Sequence, residues 1–256
     1  MLIGQDKREG QSRQRSDSMI LATLDKDQKT ISLTSFMRDL YVAIPGYSST
    51  RINAAYAYGG MDLLDETLTQ NFGVEIDGNV EVDFEVFQVL VDKVGGIDLE
   101  LTQAEADYIC GRDQSVLYPQ PLRTDWDLQE GMNHLDGEQA LIHARNRSIG
   151  NSDYRRTERQ QEVLMAAFEK VKDLSAFSIA GLVKDVLPLV TTDLSFTEII
   201  GYAMDVMSIG TGDIATYRIP EDGAYTPQTI SGMQVLVPDL EQNRKYLQQV
   251  LYHAEA

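Results

Sequence analysis

Residues 19–36 read MILATLDKDQKTISLTSF and predict two adjacent strands joined as a hairpin. Apolar and β-branched residues dominate Met19–Leu24 and Thr30–Phe36, and the polar Asp-Lys-Asp-Gln segment between them is typical of a turn. Short runs at Met1–Gly4 and Tyr41–Ile44 are expected to add strands to the same sheet. The first part of the chain therefore predicts a β-sheet.

Helical and strand patterns alternate after this sheet. Apolar residues recur at a helical period in Met61–Phe72, and Gly73 is suited to end that helix. The other predicted elements are a strand at Val80–Phe84, a helix at Val86–Val94, a strand at Ile97–Leu101, helices at Asp153–Leu174, Ile179–Leu189 and Glu198–Met207, strands at Ile214–Ile219 and Gln234–Val237, and a helix at Leu240–Tyr252. Two helix starts carry the capping-box pattern, Thr102 with Glu105 and Ser195 with Glu198. This order predicts the α/β or α+β class, with helices covering a central sheet.

Length and composition predict one globular domain over residues 1–256. The chain is 43% hydrophobic and 24% charged, and no Pro/Gly/Ser-rich linker, charge block or repeat marks a boundary. Its formal net charge of -18 argues against a nucleic-acid partner, because phosphate backbones are bound by a broad excess of Lys and Arg.

The basic residues are nevertheless clustered. Five arginines and no lysine lie between Arg145 and Arg159, opposed only by Asp153 and Glu158. In an acidic protein such a cluster favours one small anionic ligand, because planar guanidinium groups bind phosphate in bidentate pairs. The alternative is a solvated helix face. The candidate anion-binding set is Arg38, Arg145, Arg147, Arg156 and Arg159.

Backbone geometry gives this set a direction. Residues two apart point about 200° away from each other on a helix but share a face in extended backbone. A helix that unwinds at Asn146 would therefore aim Arg145 and Arg147 at one point. On the next helix, Arg156 and Gln160 share a face with Asp153.

The same helix continues as an apolar stripe through Val163, Ala167 and Val171. A polar, anion-binding end followed by an apolar stripe suits a lipid with a phosphate head. The alternative is an ordinary amphipathic helix whose stripe is core.

Asp6 and Asp17 flank a basic loop that contains Arg8, Arg13 and Arg15. Two carboxylates from successive elements can hold a hard divalent cation such as Mg²⁺, which keeps waters and bridges to substrate phosphates. A solvated turn is the alternative.

Other catalytic classes are excluded by the absence of their motifs. The sequence contains no Walker A loop, G-x-G-x-x-G, G-x-S-x-G, C-x-x-C or H-E-x-x-H pattern. His134, His143 and His253 are expected at the surface or an interface, and the single Cys110 is expected to be buried. Trp126 and the Tyr56/Tyr58 pair are expected in core or edge packing rather than in a pocket.

The chain also lacks an apolar run approaching the roughly 18 to 20 residues of a membrane span. It opens on MLIGQD, which does not resemble a signal peptide. Because a strand begins so close to the first residue, we expect a preceding segment, such as a membrane anchor, outside these 256 residues.

Seven blocks of sequence together resemble the LytR-CpsA-Psr enzymes of bacterial cell envelopes. They are LIGQDKR, QRSDSMILATLD, LTSFMRDLYVAIPG, RINAAYAYGG, VDFEVFQVLVDKVGGIDLEL, LDGEQALIHARNR and SDYRRTERQQEVL. They lie in family order over most of residues 1–172, the motif-bearing core, while residues 173–256 are less distinctive.

This resemblance implies a central mixed sheet wrapped by helices, with a long hydrophobic pocket for a polyprenyl chain. It also implies a phosphotransferase that moves an anionic glycopolymer, of teichoic acid or capsule type, from a polyprenyl pyrophosphate carrier to a peptidoglycan hydroxyl. The enzyme would then work at the extracytoplasmic face of the bacterial membrane. A polyprenyl pyrophosphate phosphatase and a non-catalytic binding module are the alternatives.

The resemblance also implies residue roles. Asp6 and Asp17 match the family's metal positions, for Mg²⁺ or Mn²⁺, and Asp153 matches a recurrent acid. The matching pyrophosphate-binding residues are Arg8, Arg38, Arg145, Arg147, Arg156 and Gln160. Which of Arg155 and Arg156 points inward stays open, as does the general base, for which Asp6, Asp17 and Asp153 are candidates.

Overall fold

The computed structural model describes residues 1–5, 15–150, 153–172, 174–210 and 214–253. The strands are β1 Leu2–Gln5, β2 Ser16–Asp25, β3 Thr30–Phe36, β4 Tyr41–Val42, β5 Thr50–Arg51, β6 Val80–Asp83, β7 Ile97–Leu101, β8 Gly131–Leu135, β9 Thr191–Thr192, β10 Ile214–Ile219, β11 Tyr225–Ile230 and β12 Met233–Pro238. The helices are α1 Asn53–Phe72, α2 Phe84–Lys93, α3 Gln103–Ile109, α4 Gly137–Arg145, α5 Asp153–Lys172, α6 Ala176–Val186, α7 Phe196–Ile209 and α8 Leu240–Tyr252.

These elements form two compact units. The sheet unit comprises residues 1–83, 190–195 and 213–256, and the helical unit comprises residues 84–189 and 196–212. A single functional domain over the whole chain stays a prediction.

A six-stranded mixed sheet forms the centre of the sheet unit, in the order β10-β3-β2-β1-β6-β9. The predicted hairpin is confirmed, since β2 and β3 are antiparallel with Leu24 opposite Ile31. β10 runs parallel to β3, and β6 runs parallel to β1. Ile31, Leu33 and Phe36 are buried, so the apolar residues that predicted the hairpin also supply its core. The predicted mixed α+β class is thus confirmed.

One strand assignment was wrong. Tyr41–Ile44 does not join this sheet, because β4 pairs with β5 in a separate two-stranded sheet. The reason is a turn directly after β3, in which the Leu40 N–H donates to the Met37 carbonyl and takes the chain off the sheet. The mostly polar strand β11 was not predicted, because it lacks an alternating apolar pattern.

Helix α1 is longer than predicted and is interrupted. It begins at Asn53 and has non-helical backbone at Gly60, with φ 73° and ψ -152°. It ends as predicted, because Gly73 adopts a left-handed φ of 72° and donates its N–H to the Thr69 carbonyl. Leu64 and Leu68 are fully buried in the second half of the helix.

The helical unit contains the β7–β8 pair and helices α2 to α7. The predicted capping box of Thr102 with Glu105 is confirmed at the start of α3. A second capping box, Asp136 with Gln139, starts α4. The predicted apolar stripe of α5 contributes to the core, since Val163 is buried there and Ala167 packs against it. Core packing, rather than a lipid, therefore accounts for these two residues.

Within the described residues, no helix is both long enough and apolar enough to cross a membrane.

Candidate functional site

Asp17 and Arg38 form an ion pair at one end of the central sheet. Arg38 Nη1 lies 2.9 Å from Asp17 Oδ1, and both side chains are partly exposed. The hairpin brings the two residues near each other: Ile20 lies opposite Ser35, Asp17 precedes Ile20 by three residues, and Arg38 follows Ser35 by three in the turn after β3. The sequence-predicted metal residue and one predicted phosphate-binding residue are therefore in contact.

Asp17 also occupies a β-bulge. Gly4 of β1 lies opposite Ser18, whereas the next residue, Gln5, lies opposite Ser16, so Asp17 is the extra residue. Bulges turn side chains away from the regular alternation of a strand and are frequent beside active sites. The bulge therefore sets the direction of the Asp17 carboxylate. No periodic pattern in the sequence predicts this bulge.

Further charges hold Arg38 in place. Its Nε lies 3.6 Å from Asp39 Oδ2, while Arg51 Nε lies 3.1 Å from Asp39 Oδ1. Arg51 in turn donates to the Gln234 carbonyl at 2.6 Å. The side chains form a chain of alternating charge that orients the guanidinium of Arg38 before any ligand binds.

The second set of predicted residues lies in the helical unit, where α4 ends. The chain unwinds at Asn146 as expected, with φ -62° and ψ 120°. Asn146 causes this locally, because its side-chain oxygen accepts the N–H groups of Ser148 and Ile149 at 2.9 and 3.1 Å. Arg145, just before the break, lies with its guanidinium carbon 4.0 Å above the ring centre of Phe84. Sequence reasoning missed Phe84, since a stacking partner 61 positions away leaves no local signal.

After the unwound segment at Asn146, Asp153 contacts both Arg147 and Arg156. Asp153 Oδ1 lies 3.9 Å from Arg147 Nε and 3.3 Å from Arg156 Nη1. Asp153 is in the first turn of α5, where a negative charge is stabilised by the helix dipole. Gln160 follows Arg156 by one turn and is partly buried. Ser152, whose residue type and position directly before α5 predict a helix cap, lies outside the described residues.

The neighbouring arginines are now distinguished. Arg156 is the buried one, at 4% exposure, whereas the Arg155 side chain is 42% exposed and pairs with Glu158. The inclusion of Arg159 in the anion-binding set was wrong. It is fully buried, and it donates from Nε to Glu105 at 2.9 Å and from its two other nitrogens to the Asn146 and Ile149 carbonyls. Those protein acceptors take the place of a ligand.

Glu105 anchors that buried arrangement. It accepts from the Thr102 backbone N–H at 3.1 Å as well as from Arg159. Burial opposes its ionisation, but the hydrogen bonds from Thr102 and Arg159 outweigh burial and hold the pKa of Glu105 below its ordinary value.

The remaining predictions have mixed outcomes. Cys110 is buried as expected. His134 and His253 are at least half exposed, as predicted, but His143 is buried and was misassigned; its Nε2 lies 3.3 Å from Glu162 on α5. Tyr56 is buried, yet it also lines a cavity.

The metal prediction rests on Asp17 alone among the described residues. Asp6 and Arg8 lie outside the described ranges. Within those ranges, no group of three or more His, Cys, Asp or Glu side chains is placed to hold a metal. Mg²⁺ does not need such a cage, because it is commonly bound by one or two carboxylates together with waters and substrate phosphates. The partly exposed Asp17 carboxylate has the oxygen chemistry that this mode requires.

Comparison with known proteins gives a consistent result. The family model described as the LytR_cpsA_psr family matches residues 1–249. A relative in Bacillus subtilis (strain 168), the polyisoprenyl-teichoic acid–peptidoglycan teichoic acid transferase TagT, is 30% identical over 233 residues, which cover 88% of this chain and 70% of TagT.

Solved structures agree with the sequence match. The crystal structure of B. subtilis TagV superimposes with a TM-score of 0.76 at 29% identity, covering 99% of this chain and 96% of that one. A structure of TagT with bound octaprenyl pyrophosphate lipid has a TM-score of 0.72 at 25% identity, covering 98% and 88%.

Proposed function

Because the chain belongs to the LytR_cpsA_psr family, we propose that it transfers an anionic glycopolymer from a polyprenyl pyrophosphate carrier to a hydroxyl of peptidoglycan. The observation that carries the proposal is the ion pair of Arg38 with Asp17, on a bulge of the central sheet. It combines a phosphate-binding cation with a metal-suited carboxylate. The names of TagT and its lipid-bound structure support the same substrate class.

The chain's own residues would act by positioning and charge neutralisation. The pyrophosphate oxygens would be bound by Arg8, Arg38, Arg145, Arg147, Arg156 and Gln160. In phosphoryl transfer most catalysis comes from such contacts, since little covalent chemistry is required of the protein. Stacking on Phe84 fixes the guanidinium plane of Arg145, and Asp153 orients Arg147 and Arg156.

In the proposed reaction, the acceptor hydroxyl oxygen attacks the phosphorus that carries the glycopolymer. The bond from that phosphorus to the bridging oxygen breaks, and polyprenyl phosphate leaves. The hydroxyl proton passes to a carboxylate, for which Asp6, Asp17 and Asp153 are the candidates. Mg²⁺ or Mn²⁺ held by Asp6 and Asp17 would neutralise phosphate charge when bound.

Two further proposals complete this assignment. The polyprenyl chain would occupy a long apolar pocket, and the TagT structure with bound octaprenyl pyrophosphate lipid supports this class of ligand. The enzyme would work at the extracytoplasmic face of the bacterial membrane, where lipid-linked polymer and peptidoglycan meet. Membrane attachment of the chain itself stays a prediction.

The decisive experiment is turnover with a defined donor. The protein is incubated with Mg²⁺ and a polyprenyl pyrophosphate glycolipid, with and without peptidoglycan, and release of polyprenyl phosphate is measured. We expect release that depends on the acceptor. Release without the acceptor would assign a phosphatase, and tight binding without release would assign a binding module; either result contradicts the transferase proposal.

A further inference from the structure

A cavity of about 460 Å³ lies within the sheet unit, between the central sheet and helix α1. Its lining residues are Gln5, Tyr56, Gly59, Gly60, Met61, Asp62, Glu81 and Thr191. None of the roles assigned so far uses it. A volume of several hundred Å³ is typical of a site for a small molecule or a part of a larger one.

The strand register brings three polar side chains to one face of the sheet. Glu81 on β6 lies opposite Thr191 on β9 and opposite Ile3 on β1. Gln5 is two residues beyond Ile3, so its side chain points to the same face as Glu81. The carboxylate, amide and hydroxyl groups of these residues therefore line one wall.

Helix α1 forms the opposite wall. The Tyr56 hydroxyl donates to the Glu81 carboxylate and fixes its orientation. The backbone at Gly60, with φ 73° and ψ -152°, lies in a region that is essentially restricted to glycine. The helix is interrupted there, where it lines the cavity, and the exposed residues Gly59 and Asp62 leave that side open to solvent.

The lining chemistry excludes several ligand classes. Among the described residues, two carboxylates and no Lys or Arg line the cavity, so a phosphate would be repelled. The described residues also place no group of three His, Cys, Asp or Glu side chains there, so they offer no ligand cage of the kind that binds zinc. A neutral molecule whose hydroxyl groups donate to carboxylates and amides fits this lining best, because Gln5 and Thr191 carry no charge and the Glu81 carboxylate already accepts from Tyr56. Gln5 and Glu81 are almost fully buried, so such hydrogen bonds would be shielded from water.

We propose that this cavity binds a neutral sugar ring of the peptidoglycan acceptor, with hydrogen bonds from the sugar hydroxyls to Glu81, Gln5 and Thr191. The assignment to the acceptor rests on the proposed function, whereas sugar binding itself does not. The position fits the reaction, because Gln5 lies opposite Ser16, the neighbour of Asp17. Gln5 also directly precedes the predicted metal residue Asp6 in the sequence. The acceptor would thus enter beside the phosphate-binding end of the sheet.

The first test measures binding alone. An uncharged N-acetylglucosamine oligosaccharide is titrated into the wild-type protein and into the Glu81→Gln and Thr191→Val variants. Binding is measured by saturation-transfer NMR. We expect each variant to weaken binding at least fivefold. The matched control is Glu66→Gln, an exposed glutamate on α1 outside the cavity, which should bind like wild type.

Several results would overturn the proposal. The first is the absence of oligosaccharide binding to wild type, and the second is binding by both cavity variants that equals that of wild type. The third is binding of methylammonium or Mg²⁺, rather than sugar, that wild type shows and both cavity variants lose, which would assign a cation site. Thr191 is exposed, so Thr191→Val keeps the test valid if Glu81→Gln proves unstable.

Kinetics then identify the source of the sugar. We expect Glu81→Gln and Thr191→Val to raise the KM for peptidoglycan at least fivefold and to leave the KM for the lipid-linked donor unchanged. A rise confined to the donor KM would contradict the assignment to the acceptor. If wild type binds the oligosaccharide with the expected variant pattern but transfers nothing, the proposed function fails while the sugar site stands.

Discussion

Arg159 and Arg147 lie twelve residues apart in one arginine-rich segment, yet they occupy opposite environments. Arg159 is fully buried and donates from Nε, Nη1 and Nη2 to protein oxygens of Glu105, Asn146 and Ile149. The Arg147 side chain is 39% exposed, and its contact with Asp153 is long, at 3.9 Å. This arginine-rich segment therefore combines two tasks. One arginine holds the Asn146–Ile149 segment in shape, and the other presents a cation from it.

The largest effect is expected on stability, from replacing the buried Arg159. Arg159→Ala should lower the free energy of unfolding by about 3–5 kcal/mol, because it removes the closest cationic partner of the buried Glu105 carboxylate. Urea denaturation measures the loss. Arg155→Ala is the control, since that exposed neighbour pairs with Glu158 at the surface, lies 3.8 Å from Glu105 and should change stability by less than about 1 kcal/mol. Equal stability of Arg159→Ala and wild type would contradict a structural role for Arg159.

Replacing the more exposed arginines should lower turnover rather than stability. Arg145→Ala and Arg147→Ala are each expected to reduce acceptor-dependent turnover by more than about tenfold, or about 1.4 kcal/mol of transition-state stabilisation. Their thermal unfolding midpoints should stay close to that of wild type, because neither side chain is buried. Arg155→Ala again serves as the control and should retain activity. If both variants unfold, these arginines are structural and their assignment is wrong.

A third arginine, Arg38, pairs with Asp17, the predicted metal residue, so the metal prediction is tested there. Chelation with EDTA should abolish turnover, and added Mg²⁺ or Mn²⁺ should restore it. Asp17→Asn should weaken Mn²⁺ binding, measured by electron paramagnetic resonance without substrate, by about tenfold, since the hard cation prefers a charged oxygen ligand. Asp39→Asn, which alters a carboxylate on the other side of Arg38, is the control. Full activity in EDTA would rule out the metal role.

A smaller effect is expected from pH. The folded-state pKa of Glu105 lies below its ordinary value of 4.5, so the unfolded chain takes up this proton first as the pH falls. The stabilisation is therefore fully present above about pH 4.5 and is lost as the pH falls through the lower, folded-state pKa. Glu105→Gln should show a shallower decline of unfolding free energy over this acidic range in a urea series. An unchanged slope would show that other carboxylates account for the acid sensitivity.

Much of the fold followed from local patterns in the sequence. The hairpin at 19–36 was recognisable because strand alternation and a polar turn are both local, and its pairing of Ile20 with Ser35 brings Asp17 and Arg38 to the same end of the sheet. The C-terminal glycine of α1 and the capping box of α3 are equally local. The departure of Tyr41–Ile44 from the sheet was not recognisable, because the turn at Met37–Leu40 that diverts the chain contains no glycine or proline.

By itself, the sequence determined the mixed α+β class, the hairpin, the break at Asn146 and the residue types of an anion site. These depend on short-range propensities and on spacing along one element. The tertiary fold determines that Arg159 is fully hydrogen-bonded inside the protein, that Arg156 rather than Arg155 is buried, and that Asp17 lies on a bulge. It also brought Glu81 and Gln5 to one cavity with Tyr56. Those outcomes depend on contacts between residues distant in the chain, where burial and competing hydrogen-bond acceptors fix the role of each side chain.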